Sequence, residues 1–259
     1  MTLLASIGGT VFLYMKDMPN SAFVQEYNGS MKNSMNVLLI LWITIILGMN
    51  FLIHPLFKGI VNKIIDLPSI NKYPMIRSAF CNIQYNIEGL IKLIRPVSVI
   101  TLLVGNFVAL FLNTKLLIDG RNSGAYLDDL IVSLVFVFGA PIIISLSNIV
   151  TSVCLFRIKT KAESELYYFS GCTPKWIFNL KLVEIGTVAL ISSSLTLFGT
   201  FLFAIPLLRV TYLGGGNIFQ ANWNINILLT FGAFLLFFIC FSFIYWRQQH
   251  STKAYLARH

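Results

Sequence analysis

Apolar residues in this chain come in long unbroken runs. Five of them, 36–57, 97–117, 130–156, 180–208 and 225–246, have the roughly 20-residue length that a hydrocarbon layer demands of a crossing helix. Each is expected to span a membrane. A sixth apolar run, 2–15, would measure only about 21 Å as a helix at 1.5 Å per residue. It lacks the basic leader of a secretory signal peptide. The pattern predicts an all-α polytopic membrane protein with five full transmembrane helices plus a short N-terminal apolar segment.

Two polar stretches interrupt the apolar runs. In 58–95, Pro68 and Pro74 keep the first half irregular. From Ser78 the pattern turns amphipathic, with Phe80, Ile83, Ile87, Leu90, Ile91 and Ile94 at helical spacing and Asn82, Glu88 and Lys92 off the stripe. An elbow helix at the membrane surface is expected over 78–94, with Pro96 at the bend into the next span. The second stretch, 157–184, is built as stop and restart. A charged helix can run to Ser170, and Gly171 suits the left-handed residue that ends one. Thr173 is a good N-cap, Pro174 fits the first helical position, and a new helix starts at Lys175.

The remaining loops, 16–35, 118–129 and 209–224, are short. Asn28-Gly29-Ser30 is read as a turn. Asp128 and Asp129 mark a helix start at a favourable dipole end. Gly214-Gly215-Gly216 lacks the lysine of a phosphate-binding loop.

Composition agrees with a membrane protein: 56% of residues are hydrophobic and 11% charged, against about 25% charged in soluble domains. The mean hydropathy is +0.77. A net charge of +9 could suggest nucleic acid, but its placement is topological. Fourteen of the 19 basic residues fall in 58–95, in 157–181 or in the tail after Trp246, all on one side of the predicted spans. The positive-inside rule puts that side, C-terminus included, in the cytoplasm. The expected location is the cell membrane, with the basic face against anionic lipid heads. Four cysteines with no CxxC pairing read as free thiols. No metal or cofactor site is expected.

Candidate chemistry is sparse. His54, His250 and His259 lie far apart. Glu163 and Glu165 each follow a lysine by four residues, Lys159 and Lys161, a spacing that supports weak helix-surface pairs. Glu184 lies about two turns into its span, where a carboxylate must face protein or water; Lys181 or the basic elbow could partner it. Ser145, Ser147, Asn148, Thr151 and Ser152 form one polar run inside a span, and Ser192, Ser193, Ser194 and Thr196 another. Both suit helix–helix contact; a path for substrate is the alternative.

One set of residues resembles a family pattern. Arg157, Lys159, Glu163, Leu166, Gly171-Cys172-Thr173, Ile177 and Glu184 are similar to the signature of FtsX-like (MacB-type) ABC transporter permeases. In it a basic pair precedes a glutamate, a Gly-x-Ser/Thr follows eight residues later, and a second glutamate stands thirteen after the glycine. Glu163, Gly171 and Glu184 keep both spacings. The resemblance covers about 130–247. It implies a permease subunit without ATPase activity of its own, docked to a separate cytoplasmic ABC ATPase. The coupling segment would comprise Arg157, Lys159, Glu163, Leu166, Gly171, Thr173, Pro174, Lys175 and Trp176. Tyr167, Tyr168, Phe169 and Trp176 would serve as anchors in the ATPase groove or as aromatics at headgroup depth. The cargo would be a peptide or lipid-like amphiphile. The large extracytoplasmic domain that many relatives carry after their first span has no counterpart here. The alternatives are a non-transporting immunity or sensor protein on a permease-like fold, or an intramembrane enzyme.

The chain also repeats weakly at an offset of 190 residues: Ser6-Ile7-Gly8-Gly9-Thr10 faces Thr196-Leu197-Phe198-Gly199-Thr200, and Asn36-Val37-Leu38-Leu39 faces Asn226-Ile227-Leu228-Leu229. The expected organisation is therefore the last two spans of a partial first permease unit (1–60), a linker with the elbow helix (61–96), a complete four-helix unit (97–247) and a cytoplasmic tail (248–259). A second permease unit or homodimer partner would complete it.

Overall fold

A computed structural model describes residues 2–17, 24–114, 123–213 and 224–256. Among these, every regular element is helical: α1 Thr2–Met15, α2 Val24–Ile65, a 3-10 turn Pro68–Lys72, α3 Pro74–Tyr85, α4 Ile87–Thr114, α5 Ser123–Phe169, α6 Pro174–Leu213 and α7 Asn224–Leu256. Five stretches are long and apolar enough to cross a membrane, Gln25–Ile65, Ile87–Leu110, Ile142–Phe169, Pro174–Leu213 and Asn226–Arg247. With no lipid-exposed strand edge to satisfy, helices of this length and apolarity make the chain a multi-pass membrane protein. The short apolar helix is α1.

The helices overrun the apolar runs that predicted them. α2 begins at Val24, so Asn28-Gly29-Ser30 is helical rather than a turn. α5 begins at Ser123, ahead of Asp128 and Asp129. Polar residues flanking a span cost nothing in a helix that has left the hydrocarbon, so hydropathy marks the crossing and not the helix end. Pro55, Pro96 and Pro206 lie inside helices, as membrane helices tolerate. Pro96 is thus not the bend. The break falls ten residues earlier, at Asn86, whose φ of −98° and ψ of 13° leave the helical basin for one residue. The Asn86 N–H still donates to the Asn82 carbonyl, and its own carbonyl accepts from Leu90. The amphipathic stripe itself is buried as expected: Phe80, Ile83, Ile87, Leu90, Ile91 and Ile94.

The chain forms two compact units. The first comprises Met1–Leu52, Val99–Ile143 and Leu195–Thr230. Its core gathers Leu38, Leu41, Ile45, Met49, Leu102, Phe203 and Leu207 around Trp42, whose ring meets Phe107 at 6.2 Å and Phe203 at 6.4 Å. Arg209 closes the end of α1: its Nε donates to the Leu13 carbonyl and its Nη2 to those of Tyr14 and Lys16. These carbonyls have no partner within a helix that ends there. The guanidinium also lies over the Tyr14 and Tyr212 rings.

Two glycines 190 residues apart are both closely approached by apolar side chains in this unit. A Cβ on Gly9 would stand 2.7 Å from Leu41 Cδ2, and one on Gly199 would stand 2.9 Å from Leu102 Cδ2 and 3.0 Å from Met49 Cγ. The residue after each glycine folds its hydroxyl back one turn: Thr10 donates to the Ser6 carbonyl and Thr200 to that of Thr196.

The second unit comprises Ile53–Ser98, Ile144–Ser194 and Phe231–His259. It holds the elbow, the α5–α6 hairpin and most of α7, and it contains the charged segment singled out in the sequence.

Candidate functional site

The α5–α6 turn is built as its residues dictate. Gly171 has φ +85°, the one positive φ among the described residues. The Gly171 N–H donates to the Tyr168 carbonyl and that of Cys172 to the Tyr167 carbonyl. This crossed pair is the Schellman closure of a helix. Two residues later Thr173 Oγ1 accepts the Trp176 N–H at 3.4 Å, and Pro174 opens α6. Stop, bridge and restart thus occupy four residues, and α5 and α6 emerge as a tight hairpin.

Inside that hairpin lies an ion triad, two of its members buried and the third, Glu163, partly exposed. Lys181 Nζ donates to Glu163 Oε2 and to Glu184 Oε2, each at 2.8 Å. Lys181 is 1% exposed and Glu184 0%. Glu163 Oε1 accepts from Asn86 Nδ2 at 2.7 Å, so the one-residue break in the elbow supplies a hydrogen bond to the hairpin. Tyr167, one turn beyond Glu163, donates to Asn82 Oδ1 at 2.8 Å, and its ring meets Trp176 edge-on at 6.0 Å. Thr160 and Tyr245 are buried beside the triad, so α5, α6, α7 and the end of α3 contribute to its walls. With two carboxylates and one ammonium, the cluster carries a formal charge of −1. A buried charge is held at all only when paired and hydrogen-bonded. Its hydrogen bonds tie α5 to α6 through Lys181 and to the end of α3 through Asn86.

Glu163 and Glu184, thirteen plus eight residues apart along the pattern, are brought together by Lys181. The expected surface pair of Glu163 with Lys159 does not form: Lys159 lies over the Tyr85 ring, 5.4 Å from its centroid, because Glu163 points inward to Lys181. Lys161 and Glu165 do face each other, at 3.9 Å and exposed. Leu166 and Phe169 stand at the tip of the hairpin, 67% and 81% exposed, with Gly171, Thr173 and Lys175 also exposed and Pro174 and Trp176 half-buried. Arg157 and Ser145 are on α5, and their side chains lie outside the described residues. Asn148 is exposed, as are Ser147 and Thr151, whereas Ser192, Ser193 and Thr196 of the second polar run are buried. Gly214-Gly215-Gly216 and His259 lie outside the described residues. His54 meets Glu88 at 3.0 Å on the elbow.

The sequence names Lys181 as a partner for Glu184, a pair the structure forms, and does not single out Asn86. Lys181 was visible as a neighbour of Glu184 three residues away; nothing in the spacing showed that its second partner would be Glu163. Asn86 carried no signal beyond being a polar residue on an apolar stripe.

Along the same α6 and α7, an apolar groove of about 330 Å³ is lined by Gly186, Ala189, Ser193, Phe231, Phe234 and Phe238. The described residues contain no group of three or more His, Cys, Asp or Glu side chains able to hold a metal ion.

The chain matches no family model, and comparison with curated proteins and with solved structures returns no match.

Proposed function

We propose that this chain is a membrane-spanning permease subunit of an ABC transporter in the manner of FtsX-like permeases, driven by a separate cytoplasmic ATPase. The observation that carries the proposal is the α5–α6 hairpin: a Schellman stop at Gly171 and a capped restart at Thr173, with the apolar side chains of Leu166 and Phe169 held out at its tip. With the hairpin placed at the cytoplasmic surface, these apolar side chains form a patch that a partner would cover. Here a rigid ion triad stands directly behind them. A tip that binds and a base that is fixed to several helices is the combination that passes movement from an ATPase to membrane spans.

The basic-residue distribution supports the orientation, with the hairpin, the elbow and the C-terminus on the cytoplasmic side of the cell membrane. The weak 190-residue sequence repeat is the ground for assembly with a second permease unit or a second copy. The apolar groove between α6 and α7 suits an acyl chain better than a polar peptide, which favours a lipid-like cargo.

The test is reconstitution of the chain with an ATPase that co-purifies with it from its own membranes. ATP hydrolysis by that protein should rise in the presence of the chain and should return to its isolated rate when Leu166 and Phe169 are both replaced by serine. An unchanged rate with the serine variant would remove the hairpin from the coupling path.

A further inference from the structure

We infer that Lys181 is the positioning residue of the coupling hairpin, tying α5 to α6 through Glu163 while Glu184, one turn further along α6, holds the ammonium in place. The inference rests on the docking role proposed for the hairpin, but its geometry is independent of that role. Lys181 lies two turns into α6. One of its hydrogen bonds goes back across the turn to Glu163 on α5, and the other goes deeper along α6 to Glu184. Glu163 is in turn held by Asn86 at the elbow break. The ammonium is the only cation in direct contact with either carboxylate among the described residues. Removing it leaves the buried Glu184 carboxylate and the partly exposed Glu163 carboxylate without their shared cation, and their repulsion would drive α5 away from α6.

A lysine that served only to fill space would be replaceable by any apolar side chain of its length. A lysine that positions must keep a charge. Arginine can keep both bonds, because its planar fork offers several donors. Methionine keeps the volume and none of the bonds. A third variant guards against failure to insert: Glu163→Gln, Lys181→Met and Glu184→Gln together remove every charge and leave no carboxylate orphaned. Replacing a buried ion cluster with neutral groups is often tolerated in folding, so this variant separates folding from positioning.

The native Cys172 reports on the hairpin, since it is half-buried at the turn and its N–H closes the Schellman motif. In isolated membranes its maleimide labelling rate, resolved by site with mass spectrometry, is expected to rise about tenfold or more in Lys181→Met and in the triple variant, as befits loss of a buried pair. Lys181→Arg should stay near wild type. In the reconstituted system the triple variant should still bind the ATPase and should no longer stimulate it. Cys172 labelling in the triple variant equal to wild type would overturn the positioning role. If labelling rises as expected and no ATPase associates with the wild-type chain, the positioning role stands and the transporter assignment falls. If an ATPase binds and is stimulated while labelling is indifferent to Lys181, the reverse holds.

Discussion

Lys181 and Glu163 meet at 2.8 Å across the Gly171 turn, eighteen residues apart in sequence and on different helices. This contact makes one object of two residues that a helical-pairing rule would have assigned to separate surfaces. It also explains why a carboxylate can stand at Glu184 with no exposure at all: the same ammonium serves both.

The triad predicts an order of damage. Lys181→Met leaves the fully buried Glu184 carboxylate without its cation and should cost about 3–5 kcal/mol. Glu163→Gln leaves the Lys181–Glu184 pair intact and neutral overall, so its cost should be nearer the ~1 kcal/mol of an ordinary hydrogen bond. Thermal unfolding of the purified variants in one detergent gives the ranking. A Glu163→Gln loss equal to that of Lys181→Met would show that Glu163, not the lysine, organises the cluster.

At Gly171 the backbone sets the constraint. Nothing lies within 4 Å of a Cβ added there, so crowding is not the issue; φ +85° is. A β-branched residue in that region costs roughly 1–3 kcal/mol. Gly171→Val should therefore loosen the turn, visible as faster hydrogen exchange over 166–177, while α7 exchanges as in wild type. Gly171→Asn should be milder, because asparagine visits the left-handed region more readily.

Neighbouring glycines on α1 should respond oppositely. Gly9 faces Leu41 at a distance no real Cβ keeps, and Gly8 has open space. Gly9→Leu should cost about 1–3 kcal/mol through overpacking, and Gly8→Leu should leave stability within about 0.5 kcal/mol, as surface substitutions do. Equal effects at both positions, measured by thermal unfolding, would mean that α1 does not pack on α2 through Gly9.

Much of this organisation was legible in the chain. The length and apolarity of the runs dictated spanning helices, and the Gly171-Cys172-Thr173-Pro174 order dictated the turn, because each of those residues answers a local backbone demand. The buried stripe from Phe80 to Ile94 was legible for the same reason. What could not be read was anything that depends on two helices meeting. Glu163 has a lysine at ideal spacing four residues earlier, and local pairing would choose Lys159; packing of α5 against α6 chose Lys181 instead. Helix ends were overrun because polar flanks such as 24–35 are compatible with helix once outside the hydrocarbon. Asn86 carries the bend rather than Pro96: a proline can sit inside a membrane helix, and at the break the Asn86 carboxamide reaches Glu163.

Orientation gives a further prediction. With the basic loops in the cytoplasm, a cysteine at Ser251 should be shielded from a membrane-impermeant maleimide in intact cells and labelled after permeabilisation. A cysteine at Gly29, on the exposed start of α2, should label from outside in intact cells. The opposite pattern at both sites would invert the topology and place the hairpin where no ATPase can reach it.

The most direct measurement of the transporter assignment is purification of the tagged full chain from its own membranes in mild detergent, followed by an ATP hydrolysis assay and identification of co-purifying polypeptides. The expected result is one polypeptide carrying a nucleotide-binding phosphate loop, present in near-stoichiometric amount, hydrolysing ATP, and lost when Leu166 and Phe169 are replaced by serine. Its absence from the wild-type preparation, or its undiminished retention by the serine variant, would contradict the assignment.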